Sequence, residues 1–323
     1  MTTRIATFPY QQLLLGQALK TQQGMIDLQV QISSGKRSQD YTGIAQDSYR
    51  LISLKSTQAR ANQQTQSIRQ ATGRLQVMDS TISQIYDVAS RFRTTLLSAL
   101  NAGSTESVDT AAVASNALNE VAGLLNTQYE GRYVFAGSRT TTKPVDLSGW
   151  PLPPNPVTTT PAPTYDSYYY KGDDVMASIE ADTGFTVDYG IGADEPAFEY
   201  VMRAMYYVSK AGVPADATTL NTALNLLNTA MGTGAADPAY GVQPIARDIA
   251  DLRSSVGVAQ QLLDDNSKRL SDLSLYLDQN IGDIENVDIA EAMSQLAVQQ
   301  TQLEASYTTL ARLGQLSLVQ FLK

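Results

Sequence analysis

The chain has 323 residues and a mass of 34.9 kDa, with 23 Lys and Arg against 32 Asp and Glu, so its net charge is −9. That sign argues against a nucleic-acid partner, because phosphate binding relies on clustered cations. There is no Cys and no His. Their absence rules out disulfides, thiolate nucleophiles, zinc–sulfur sites, imidazole bases and Ser-His-Asp triads, but not carboxylate, Lys or Tyr chemistry.

From the N-terminus, Leu14, Ala18, Thr21, Met25, Leu28 and Ile32 repeat at 4,3 spacing before the loop signal Ser33-Ser34-Gly35. The short Leu13-Leu14-Leu15 run is broken by Gly16, and no A-x-A site follows, so a cleaved secretory signal is not expected. No stretch nears the roughly 18 apolar residues of a membrane span, and no membrane partner is expected. The Lys36-Arg37 pair is a weak candidate for an electrostatic contact and otherwise reads as solvated loop charge.

The strongest pattern begins at Ile68 and continues through Ala71, Leu75, Met78, Ile82, Ile85, Ala89, Phe92, Leu96 and Ala99. This 3,4 ladder is a narrow apolar seam facing another helix, as in a coiled coil. After the break at Asn101-Ala102-Gly103-Ser104, a shorter helix is marked by Ala111, Ala114, Leu118, Val121 and Leu125.

The middle of the chain differs. Half of the prolines fall in one window: Pro151, Pro153, Pro154, Pro156, Pro161 and Pro163. This predicts a loop or linker. Tyr165, Tyr168, Tyr169 and Tyr170 follow and read as the core of a small β unit. Two alternating segments, 177–181 and 185–189, flank Asp182-Thr183-Gly184 and predict a hairpin. The cluster Asp173, Asp174, Glu180, Asp182 and Asp188 matches no calcium-loop spacing and reads as solvated charge. Gly131, Gly137 and Gly190-Ile191-Gly192 form no phosphate-binding motif. No metal, cofactor or catalytic residue is expected.

Helical signals resume at Glu195-Pro196 and again at Leu220 to Leu227. A second long ladder comprises Ile245, Ile249, Leu252, Val256, Ala259, Leu263, Asn266, Leu270, Leu273 and Leu277, with Asn266 either a buried register-setting rung or a partly solvated one. Ile289, Met293, Leu296, Gln300, Leu303, Tyr307 and Leu310 close the pattern. The two central ladders predict an intramolecular bundle core. The terminal stripes are rich in Gln, Ser, Thr and Ala, and such helices are marginal alone in water. They predict segments that order against partners, including other copies of the chain.

Several segments resemble the bacterial flagellin superfamily. Gln31-Ile32-Ser33-Ser34-Gly35-Lys36-Arg37 with Asp40 and Gly43-Ile44-Ala45 is similar to its first helix-to-loop motif. Tyr129-Glu130-Gly131-Arg132-Tyr133-Val134-Phe135-Ala136-Gly137-Ser138 is similar to the sequence that leaves the helices for the outer domain. Asn286-Val287-Asp288-Ile289-Ala290-Glu291-Ala292, residues 299–307 and Leu316-Ser317-Leu318-Val319-Gln320-Phe321-Leu322 resemble its C-terminal helix and closing motif. Within the superfamily, Ala311-Arg312-Leu313-Gly314-Gln315, lacking Pro and Asn, is most like the hook-associated type that joins hook to filament. Gln315 departs from the Gly often found there, and filament flagellin is the alternative.

The resemblance implies a mainly α fold: a long antiparallel bundle or coiled coil built from both chain ends, with a small β-rich insert. Expected divisions are an N-terminal assembly helix (1–40), a discontinuous central helical domain (41–135 and 196–280), the insert (136–195) and a C-terminal assembly helix (281–323). It implies inter-subunit contacts through Leu14, Met25, Leu28, Ile32, Ile289, Met293, Leu296, Leu303, Tyr307, Leu310, Leu316, Leu318 and Phe321. Implied partners are copies of the chain, other hook-associated proteins, flagellin, the flagellar type III export apparatus and an export chaperone. The implied location is the extracellular flagellum. Rival readings are a secreted coiled-coil effector or needle-tip protein, and an enzyme or carbohydrate-binding module in the insert.

Overall fold

The computed structural model describes residues 4–101, 109–148, 150, 168–182, 184–211 and 215–321, with side chains described outside 4–8, 11 and 313–321. The chain is mainly helical and divides into two units, Met1–Asn62 with Asp272–Lys323, and Gln63–Ser271. The helices are α1 (Arg4–Ser34), α2 (Ser48–Asn101), α3 (Thr110–Leu125), α4 (Pro196–Lys210), α5 (Ala217–Ala230), α6 (Ile249–Glu285) and α7 (Ile289–Phe321). Two antiparallel hairpins lie between α3 and α4. One pairs β1 (Gln128–Tyr129) with β2 (Arg132–Tyr133), the other β3 (Ser178–Asp182) with β4 (Phe185–Asp188).

The central ladder on α2 is the buried face of that helix. Ile68, Ala71, Leu75, Met78, Ile82, Ile85, Ala89, Phe92 and Leu96 are all buried, and of the ladder only Ala99, in the last turn of α2, is half-exposed. The α6 ladder is buried from Ile249 to Leu270, whereas Ile245 precedes the helix. Its continuation differs from the heptad expectation, because Leu273 is exposed. Burial passes from Leu270 to half-buried Ser274, then to Leu277, Ile281 and Ile284. Two successive four-residue steps form a stutter, which keeps the buried face aligned as a 3.6-residue helix drifts from a strict 3.5 repeat. Asn266 is buried; its Oδ1 accepts from Arg269 at 2.5 Å, while its Nδ2 has no partner among the described residues.

In the second unit, Arg253 pairs with Asp79 at 3.1 Å, Arg91 with Glu120 at 3.2 Å, and Arg93 Nε donates to Asn228 at 2.6 Å. Asp109 and Asp216 cap α3 and α5 by accepting from Ala112 N and Thr219 N, and Pro196 starts α4 without removing a needed donor. Phe135 meets Phe198 edge-on at 6.1 Å.

The first hairpin gives the Tyr129–Ser138 motif a physical meaning. Glu130 and Gly131 both have positive φ (51° and 74°), as a two-residue type I′ turn requires. Val134, Phe135 and Ala136 are then buried, and Gly137 (φ 65°) lies where a Cβ would fall 2.1 Å from the Asp173 carbonyl oxygen. The second hairpin sits where alternation places it, turning at Gly184 (φ 77°). Tyr169 is buried with its hydroxyl donating to Ala193 O at 2.9 Å, Tyr170 is half-buried and Tyr168 exposed. Tyr165 and the proline window lie outside the described residues.

Candidate assembly surface on the terminal helices

The terminal helices α1 and α7 pack against each other within one unit. Gly35 ends α1 in the left-handed region (φ 71°), with its N–H bonded to Gln31 O at 2.8 Å. Asp288 caps α7, its Oδ1 accepting from Ala290 N at 2.9 Å and Glu291 N at 3.1 Å. Between these caps, Val287 N–H donates to Gly35 O at 3.0 Å. Further along, a Cβ on Gly24 would come 3.0 Å from Gln299 Oε1. The helices therefore run antiparallel, with Val30 level with Met293 and Leu15 level with Tyr307.

The seam between them is thin. Among the described side chains of these two helices, Ala18, Leu28 and Ala292 are the fully buried apolar ones. Leu14, Met25 and Ile32 on α1, and Leu296, Leu303 and Leu310 on α7, are half-buried. Gln299 joins this seam with its Oε1 buried and without a partner among the described residues, a defect of the kind that costs about 1–3 kcal/mol. Small residues let the backbones approach but bury little area.

Beside the seam runs a second stripe that no part of this chain covers among the described residues. On α1 it comprises Leu15, Leu19, Ile26 and Val30, which are 51%, 57%, 47% and 39% exposed. On α7 it comprises Ile289, Met293 and Tyr307, at 48%, 56% and 49%. Helical periodicity and the antiparallel register put both stripes on the same side of the pair. The result is an apolar face carrying no Lys, Arg, Asp or Glu among those seven positions.

Of the expected contact residues, Leu28 is thus buried within the chain, six are half-buried in its seam, and Ile289, Met293 and Tyr307 face outward. Leu316, Leu318 and Phe321 lie outside the described side chains. The α1 stripe Leu15, Leu19, Ile26 and Val30 was not among the expected residues; its 4,7,4 spacing was the available signal.

The charges of the first loop motif are exposed, as expected, and also make local and long-range hydrogen bonds. Asp40 Oδ1 accepts from Thr42 N at 3.1 Å and Gly43 N at 3.2 Å, and these bonds, Gly43's foremost, hold its carboxyl below the usual range. Gly43 is needed because a Cβ there would fall 2.4 Å from Ser38 Oγ. Arg37 Nε donates to Asn286 O at 3.0 Å, and Lys36 lies 3.6 Å from Glu285.

Elsewhere, a cavity of about 90 Å³ in the second unit is lined by Arg74, Asp173, Asp174, Asp194 and Glu195. Asp173 is spent on Ser138, accepting from its N at 2.6 Å and from its hydroxyl, and Asp182 pairs with Arg269 at 2.6 Å. Among the described residues no group of three or more acidic side chains is placed to hold a metal ion, and no helix is long and apolar enough to cross a membrane.

In the first unit the two terminal helices pair antiparallel and leave one apolar face uncovered among the described residues. The sequence matches the family described as bacterial flagellin N-terminal helical region over residues 5–140, and that described as bacterial flagellin C-terminal helical region over residues 241–322. The chain belongs to the bacterial flagellin superfamily. Its fold is similar to that of a proposed flagellar hook-associated protein from Vibrio parahaemolyticus (TM-score 0.55, 15% identity, covering 76% of this chain and 100% of that one). It is also similar to FlgL from Bacillus cereus (TM-score 0.51, 17% identity, covering 71% and 98%). No curated protein matches the chain.

Proposed function

We propose that this chain is a structural subunit of the bacterial flagellum, of the hook-associated type that joins hook to filament. Assembly proceeds by covering the apolar face of the α1–α7 pair with the same helices of neighbouring copies. The observation that carries this reading is the outward stripe of Leu15, Leu19, Ile26, Val30, Ile289, Met293 and Tyr307 beside a seam too thin to hold the pair firmly alone. Burying the exposed half of each of these side chains contributes roughly 1 kcal/mol, and repetition around a ring makes the sum large. Leu14, Met25, Leu28, Ile32, Leu296, Leu303 and Leu310 support the pair from within, and Leu316, Leu318 and Phe321 extend it. Other hook-associated proteins and flagellin are the axial neighbours, and the export apparatus with a chaperone delivers the chain. No catalytic role is proposed.

The test is electron microscopy of cells lacking the protein, complemented with intact or altered chains. Hooks without filaments are expected in the null strain; a filament present but altered would instead make the chain a filament flagellin. A chain truncated after Gln315, or carrying Leu19→Asp, is expected to keep its helical circular dichroism and fail to incorporate, because a charge in an apolar contact is costly to bury. Normal incorporation of both would overturn the proposed face.

A further inference from the structure

Away from the terminal helices, within the unit Gln63–Ser271, the first hairpin and α2 enclose a pocket of about 380 Å³. Gln70 and Arg74 line it from one face of α2, Tyr129, Glu130 and Arg132 from the hairpin, and Tyr189 from the end of β4. Gly73 admits the hairpin to the helix, since a Cβ there would fall 2.3 Å from the Tyr129 hydroxyl oxygen.

Two guanidinium groups thus border one space. Arg132 is exposed, whereas Arg74 is half-buried. Arg74 Nη2 donates to Val134 O at 2.8 Å, while its Nε is buried without a hydrogen-bond partner among the described residues. Burial pulls Arg74 below the ordinary guanidinium range; the Tyr189 hydroxyl opposes this, and the neighbouring Arg132 charge adds to it. A guanidinium nonetheless stays charged near neutral pH, and a shielded charge with unspent donors is costly. The acids nearby do not answer it. Arg74 also borders the small acidic cavity, but there Asp173 is spent on Ser138 and Glu195 pairs with Arg247. Asp194 is held toward its protonated form, first by burial and then by Asp174. Glu130 occupies the hairpin turn (φ 51°) and forms no ion pair with either arginine among the described residues.

We propose that this pocket binds a carboxylate, and that its occupant is an Asp or Glu side chain of a second copy of this chain. Guanidinium forks match the planar carboxylate, and two of them meet it with charge-assisted hydrogen bonds. Tyr129 and Tyr189 add ring walls and hydroxyl donors. Each copy carries 32 Asp and Glu against 23 Lys and Arg, so carboxylates outnumber the cations that could pair with them. The inference rests on the assembly reading above, which brings copies together, but it concerns a different surface from the apolar face of α1 and α7.

Arg132→Lys tests it, because the change keeps the charge and supplies an amine that a carbodiimide couples directly to a touching carboxylate. Flagella carrying the variant, and the free variant chain in dilute solution, are treated, digested and mapped by mass spectrometry. The expected product is a covalent dimer in which position 132 is joined to an Asp or Glu of the second copy, present in flagella and lost in the free chain. Gln70→Lys, at an exposed position on the α2 side of the same pocket, is a second reporter and is expected to couple to the same acidic segment. Coupling of both positions only within their own chain, coupling to a different protein, or no coupling in flagella while other lysines react would each overturn the site. Failure of both variants to fold would also overturn it, since the pocket would then serve the fold. Failure of the assembly reading is distinct: the wild-type chain would be missing from flagella, and this inference would fall with it.

Discussion

Asp194 lies against the small cavity beside Asp174, and its carboxyl is held above the ordinary 3.8, first by burial and then by the Asp174 charge. A raised carboxyl favours the fold below the unfolded value and opposes it increasingly as pH rises through the folded one. Asp194→Asn is therefore expected to raise the melting temperature by a few degrees at most at pH 7, with the gap closing near pH 3, as followed by thermal melts across that range. Gly137 makes the opposite case. It combines a φ of 65° with a Cβ position 2.1 Å from a main-chain oxygen that cannot move aside. Gly137→Ala is expected to lower unfolding stability by about 2–4 kcal/mol, measured by denaturant titration. Neither effect was legible beforehand. The sequence placed Gly137 in a motif and Asp173 in an acidic cluster, but their meeting depends on 35 intervening residues folding back.

Helices were the most legible elements, because a helix is specified by residues three and four apart. The α2 ladder named nine buried positions from spacing alone. Leu75→Ala is expected to cost about 2–5 kcal/mol, since it opens a cavity at a fully buried site. Leu273→Ala, the expected rung that faces solvent, should stay within about 0.5 kcal/mol. Comparing the two by chemical denaturation checks the stutter, and equal losses would restore the plain heptad. On α7 the apolar ladder was visible but its inward side was not. Ile289, Met293 and Tyr307 are larger than Ala292, yet Ala292 is the buried residue, because close approach to α1 selects small side chains.

At the scale of the molecule, the proposed assembly rests on the uncovered apolar face of the terminal pair. A chain with Leu19→Asp should keep its helical circular dichroism yet fail to incorporate, because a charge in an apolar contact is costly to bury.

The sequence by itself determined the helical segments, the hairpin turn at Gly184, the exclusion of thiol and imidazole chemistry and the family motifs, because periodicity, turn geometry and composition are local properties. The tertiary structure alone decided which side of α7 meets α1, that Asn266 is buried, and that Lys36 and Arg37 clamp residues some 249 positions away. Burial and ion pairing depend on what arrives from elsewhere in the chain, and the identity of a residue does not disclose its distant neighbour.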